Sequence, residues 1–201
     1  MATLGKLDVA NGALIKLGTS TPIASLGDGT KTSNLCRNRI EPCRLALLRF
    51  HSWKFAKART TLAALAAAPE FTWTYQFNLP SDFVRLLAVD DGDTPYELEG
   101  GKLLADSDEI ELVYVSDPGA DNFAKYDPLF MECFSLWLAN DICYALTNSS
   151  EIKDRIYREL QVALGRARFV DSTDQGGAEI IANDWTDSRK GSTSVMPERV
   201  F

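Results

Sequence analysis

Residues 71–91 read "FTWTYQFNLPSDFVRLLAVDD". Phe71, Trp73, Tyr75 and Phe77 alternate with Thr72, Thr74 and Gln76. Successive strand side chains point to opposite faces, so this period of two predicts a strand with one aromatic face. Pro80-Ser81-Asp82 is a turn, and "FVRLLAV" reads as a second strand. "DDGDTP" reads as a tight acidic turn and "EIELVYV" as a further strand. Between them, "YELEGGKLLA" reads as a hairpin, with Gly100-Gly101 supplying the positive-φ residues. The middle third is therefore expected to be an antiparallel β-meander of four or five strands, its aromatic face against the helices.

The flanks carry the helical period instead. Leu4, Leu7, Ala10, Leu14 and Leu17 recur at helical spacing, and "TSTPIASLGDGTKT" is a loop. A second helix is predicted from Thr30–Ser33, with Leu35, Ile40, Leu45, Leu48 and Phe50 inward and the arginines outward. Pro42 predicts a kink or a split in it. "SWKFAKARTTLAALAAAP" keeps a helical bias up to Pro69. "DPLFMECFSLWLANDICYALT" is apolar nearly all round, as a central buried helix would be. Ser149 or Ser150 caps the last helix, which has Ile152, Ile156, Leu160, Ala163, Leu164 and Ala167 inside. Glu151–Arg155 and Asp154–Arg158 are expected as ion pairs on its outer face. The expected fold class is α+β: a bundle of about four helices with an inserted antiparallel β-meander and an extended C-terminal tail. Residues 1–70 and 118–171 would form the helical domain, 71–117 the inserted β-meander, and 172–201 the tail.

Composition narrows the chemistry. The net charge is -7 and the isoelectric point about 4.8, the opposite balance from a free nucleic-acid binder. The charge is also segregated. Residues 31–60 hold eight bases against one acid, and residues 90–111 nine acids against one base. Such separation is either an accident of solvated surfaces or what a self-associating or stacking protein uses to set register. No apolar run reaches the ~18–20 residues of a membrane span, and the amphipathic N-terminus reads as a mature cytosolic start. Cys36, Cys43, Cys133 and Cys143 lack knuckle spacing and read as reduced core thiols. His51 is the one histidine, which removes multi-histidine metal sites. "GDGT" near Gly27 lacks the Lys-Ser/Thr of a phosphate loop, and "DDGD" lacks the later ligands of a calcium loop. No catalytic residue, metal or cofactor is expected.

Five stretches in order carry a resemblance: "ALIKLGTSTPIASL", "EPCRLALLRFHSWKFAKART", "FTWTYQFNLPSDFVRLLAV", "DPLFMECFSLWLANDICYALT" and "ELQVALGRARFVD". Together they resemble the tail tubular protein A family, the head-to-tail adaptors of short-tailed bacteriophages, over about residues 10–171. "NDWTDSR" is a weaker echo near the end. "LLRFHSWKFA" followed by "W-x-Y-x-F-x-LPSDF-x-R" is the most specific part. The resemblance implies a non-catalytic virion protein, made in the host cytoplasm and placed in the neck of the particle. It implies a closed homo-oligomeric ring, typically of twelve copies, between the portal protein and a tail nozzle. Genomic DNA would pass through without specific binding, and no membrane is involved. An acid-lined channel repels phosphate, which suits a conduit.

His51, Trp53, Trp73, Tyr75 and Pro80 are then expected as a structural joint. Residues 172–201 carry isolated apolar side chains, a pattern that suits a segment ordering on a partner. Ile180, Ile181, Trp185, Arg189 and Phe201 are its expected portal contacts. The alternatives are a tail-associated cell-wall hydrolase using carboxylates of the acidic meander, and a tail-completion protein of another neck architecture.

Overall fold

The computed structural model describes residues 5–19, 21–90 and 92–173. Among them α1 (Lys6–Lys16) and α2 (Lys31–Phe50) come first. Six strands follow: β1 (Lys57–Ala63), β2 (Tyr75–Asn78), β3 (Phe83–Val89), β4 (Tyr96–Glu99), β5 (Lys102–Ala105) and β6 (Glu109–Ser116). Helices α3 (Pro128–Thr147) and α4 (Ser150–Thr173) close the described part. The chain is thus of mixed α+β class.

Helix α3 is the hub of the helical part. The Asp127 carboxylate accepts from the amides of Leu129 and Phe130 at 2.7 and 3.2 Å, and Pro128 occupies the first turn. Asn148, in left-handed conformation at φ 51°, ends the helix. By length and composition α3 is apolar enough to cross a membrane, but it packs against α1, α2 and α4 and buries Phe130, Phe134, Leu138 and Ile142. Helix α4 lays Ile156, Leu160, Leu164 and Ala167 on this core, and Ser149 Oγ accepts from the Ile152 amide at its start. The expected ion pairs on α4 are replaced: Arg155 pairs with Glu159 at 3.0 Å, and Arg158 donates to the Asp154 carbonyl. The helix runs through Thr173, past the expected start of the tail at 172.

Helix α2 is continuous through Pro42, and the Thr30 hydroxyl caps it by accepting from the Ser33 amide. Its inward face departs from expectation. Leu45 and Phe50 are 39% and 44% exposed, whereas Arg44 is 1% exposed. Arg44 turns inward because acceptors from three other points of the chain converge on its guanidinium. Phe50 is held at the surface by Trp137, with ring centroids 5.7 Å apart, and by Arg168 at 5.4 Å.

The β part corrects two readings. Residues 57–63 are a strand, not helix, so the strands begin ahead of the expected boundary at 71. β1 pairs antiparallel with β6 over its whole length, from Lys57 opposite Val115 to Ala63 opposite Glu109. The alanine-rich run after it is not helical; Leu65 N donates to the Gln76 carbonyl, and Gln76 Nε2 donates to the Ala67 carbonyl. The strands also do not follow a sequential meander. They form two three-stranded antiparallel sheets, β1-β6-β3 and β2-β5-β4. Among the described residues only β4 and β5 form a tight hairpin, turned by Gly100 and Gly101 at φ 57° and 78° as expected.

The first sheet lies between the helices and the second. Along β6, Val115 joins the helical core, while Ile110, Leu112 and Tyr114 on the other face join a second core with Phe77, Leu103 and Ala105. Register shifts in β3 let Val84 and Leu87 face the helices and Phe83, Leu86 and Val89 face the second sheet. The aromatic block therefore does not attach the β part to the helices. Tyr75 and Phe77 pack between the sheets, and Phe71 is 79% exposed. Thr72 sits at φ 72°, so the extended run cannot continue through it and the strand starts only at Tyr75.

Candidate interaction surfaces

The end of α2, the start of β1 and the last turn of α4 meet at one point. The Asp171 carboxylate makes this joint. Its Oδ1 accepts from the Lys54 amide at 2.9 Å, and its Oδ2 lies 3.0 Å from His51 Nε2. The Lys54 ammonium donates to the Ser172 carbonyl. Trp53 is buried beside them, its indole donating to the Leu47 carbonyl at 2.9 Å. Its ring stands edge-on to His51 at 4.8 Å and to Phe130 at 5.2 Å. The joint holds the last turn of α4 against the end of α2. An open cleft of about 1090 Å³ lies beside it, lined by His51, Lys54, Lys57, Arg59, Leu87 and Asp171 among others.

A second knot ties α2 to the connection after β6. Arg44 donates to both Asp117 oxygens, at 2.5 and 2.8 Å, to Glu41, and to the Tyr126 hydroxyl, which in turn donates to the Gly119 carbonyl. Burial works to lower the Arg44 pKa, but the hydrogen bonds to Asp117 and Glu41 outweigh it and hold it above its ordinary value. The same contact holds the Asp117 carboxyl below its ordinary range, against the effect of burial. Such a group works as a fixed cation inside the fold.

The acidic end of the β part has a different character. Asp106 Oδ1 accepts from the amide and hydroxyl of Thr74, and Asp90 Oδ1 accepts from the Glu111 amide. These two carboxylates hold turns. With Asp93 they line an open cleft of about 440 Å³. Among the described residues no group of three His, Cys, Asp or Glu side chains is placed to hold a metal ion. Apolar side chains also reach solvent on the helices, with Ile15, Val162 and Phe169 at 69%, 55% and 68% exposure.

The structure brings His51 and Trp53 together at the joint. Trp73, Tyr75 and Pro80 belong instead to the second sheet and its turn. Trp73 Nε1 donates to Glu97 Oε2 at 3.0 Å, Tyr75 lies opposite Ala105, and the Pro80 carbonyl accepts from the Phe83 amide. Ile180, Ile181, Trp185, Arg189 and Phe201 lie outside the described residues. Sequence reasoning missed Asp171, the partner that completes the joint, and the inward turn of Arg44. Neither has a local signal: Asp171 lies 120 positions from His51, and Arg44 lies 73 from Asp117 and 82 from Tyr126.

No family model matches the chain, and no curated protein matches it.

Proposed function

We propose that this chain is a structural, non-catalytic subunit of a head-to-tail adaptor ring in the neck of a short-tailed phage, of the tail tubular protein A type. In this reading a homo-oligomer, twelve-fold on the resemblance, joins the portal to the tail nozzle and surrounds the path of the ejected genome. The observation that carries it is the meeting of two resembling stretches at one joint. "LLRFHSWKFA" supplies His51, Trp53 and Lys54, and "ELQVALGRARFVD" supplies Asp171. The helical part would build the ring wall. The β part, which bears the exposed Phe71, would dock the next tail component. The tail, leaving from the joint, would reach the portal through Ile180, Ile181, Trp185, Arg189 and Phe201. The net charge of -7 suits a channel through which DNA slides.

The test is electron microscopy of the purified protein, alone and mixed with a portal ring. Closed rings, or rings seated on the portal, are expected. Deleting residues 174–201 is expected to weaken portal binding while leaving the fold intact. Absence of rings in both samples, or clearing of a peptidoglycan gel by the protein, overturns the reading.

A further inference from the structure

Each sheet has two edges, and in each one edge is already engaged. In the first sheet β3 is flanked by the end of α2: Arg49 donates to the Val84 carbonyl and Arg85 to the Arg49 carbonyl. In the second sheet β2 is flanked by the segment after β1, through the Leu65 amide, the Gln76 side chain and the Ala67 carbonyl. Among the described residues the remaining edges, without a further strand, are β1 and β4. An open edge presents a row of unpaired backbone donors and acceptors, ready to pair with another strand.

These two open edges are opposite in charge and alike in pattern. β1 alternates Lys57, Arg59 and Thr61 on an exposed face with Ala58, Thr60 and Leu62 on a half-buried one. β4 alternates Glu97 and Glu99 with Tyr96 and Leu98. Tyr96 and Leu98 stand opposite Ala105 and Leu103, whose side chains belong to the core between the sheets, yet they remain 43% and 45% exposed. They overhang that core at its rim. Among the described residues, Lys57, Arg59, Glu97 and Glu99 make no ion pair. The Trp73 indole orients Glu97 without neutralising it.

We propose that β4 of one copy of this chain pairs antiparallel with β1 of the next, so that a sheet runs across each subunit boundary. The inference rests on the ring reading and names the surface that joins its subunits. With Arg59 opposite Glu97, Lys57 falls opposite Glu99, Ala58 opposite Leu98 and Thr60 opposite Tyr96. Both charged pairs then share one face and the apolar pairs the other, as the period of two requires. A β1–β1 contact would oppose bases and a β4–β4 contact acids, so the association is head to tail. Repeated, a head-to-tail contact closes into a ring when its rotation divides the circle. β4 has only four residues, so the pairing sets direction and register, and the remaining affinity comes from other surfaces.

Charge reversal tests this. One variant carries Lys57→Glu and Arg59→Glu, which makes both edges acidic. The other carries Glu97→Lys and Glu99→Lys, which makes both basic. Melting temperature and circular dichroism check that each is folded. Assembly is read by light scattering over a concentration series. Each variant alone is expected to need at least about tenfold more protein to assemble than the native chain, because like charges face each other at every boundary. An equal mixture of the two is expected to assemble near the native concentration, since every boundary then pairs an acidic with a basic edge. Native-like assembly by either variant alone overturns the strand pairing and leaves the ring reading standing. Folded variants that fail to assemble even when mixed also overturn it, for the charges then act elsewhere. A native chain that never associates overturns both.

Discussion

His51 Nε2 lies 3.0 Å from Asp171 Oδ2, so the residue that ends α2 is held by the last turn of α4. The same carboxylate takes the Lys54 amide, so one side chain closes a contact between positions more than a hundred residues apart. Replacing Asp171 with Ala removes both bonds and leaves the Lys54 amide without its partner. A loss of roughly 1–3 kcal/mol in unfolding free energy is expected. Limited proteolysis is expected to cut earlier, within the last turn of α4. Asp171→Ala with unchanged denaturation midpoint and cleavage pattern would show the joint to be incidental.

Arg44 and Asp117 form a charge contact in which the guanidinium is buried and the carboxylate partly so. Segregated charge invites reversal of the whole basic stretch of α2 as a test of assembly, but Arg44 does not belong in such a set. Arg44→Ala is expected to cost about 2–3 kcal/mol, because it removes the charged hydrogen bonds to Asp117, whose side chain is only 26% exposed. Chemical denaturation checks this. The exposed Arg37→Glu is expected to change stability by no more than about 0.5 kcal/mol.

Acid should loosen the same knot. The folded-state pKa of Asp117 is lowered, first by its hydrogen bonds from Arg44, with the Gly119 amide adding to them and burial opposing. A lowered pKa contributes stability that is fully present above the unfolded value of about 4 and is lost as pH falls through the folded value. The melting temperature of the native chain is expected to fall below about pH 4, and that of Asp117→Asn to fall less steeply there. Parallel curves for the two proteins would remove Asp117 from the account of acid sensitivity.

Two tryptophans separate burial from pattern. Trp53 is 1% exposed and touches His51, Phe55 and Phe130. Trp53→Ala is expected to cost roughly 3–5 kcal/mol. Trp73 lies in the alternating block but before the strand, half-buried, with one hydrogen bond to Glu97. Its replacement by Ala is expected to cost about 1–2 kcal/mol. Equal losses in urea denaturation would place Trp73 in a core it does not reach here.

The four cysteines are free and buried. Burial raises the Cys43 thiol to about 12 and the Cys133 thiol to about 11. A thiol reagent near pH 8 is therefore expected to label none of them quickly in the native protein and all four after unfolding. Fast labelling of a native thiol would mean that this core opens.

Local pattern alone determined much of the helical part. The caps at Thr30 and Asp127, the apolar wrap of α3, the inner stripe of α4 and the Gly100-Gly101 turn all lie within a few residues of the signal that announces them. The tertiary structure decided the rest. β1 has helix-favouring alanines after it and is a strand because β6, some fifty residues on, offers a complete ladder. Phe71 and Trp73 share the alternation of Tyr75 and Phe77 but fall outside the strand, because Thr72 turns the backbone left-handed. Arg44 looks like its exposed neighbours until Asp117 and Tyr126 fold over it. Periodicity reports which side chains share a face. Which face is covered, and by what, depends on contacts between residues that the chain brings together only when folded.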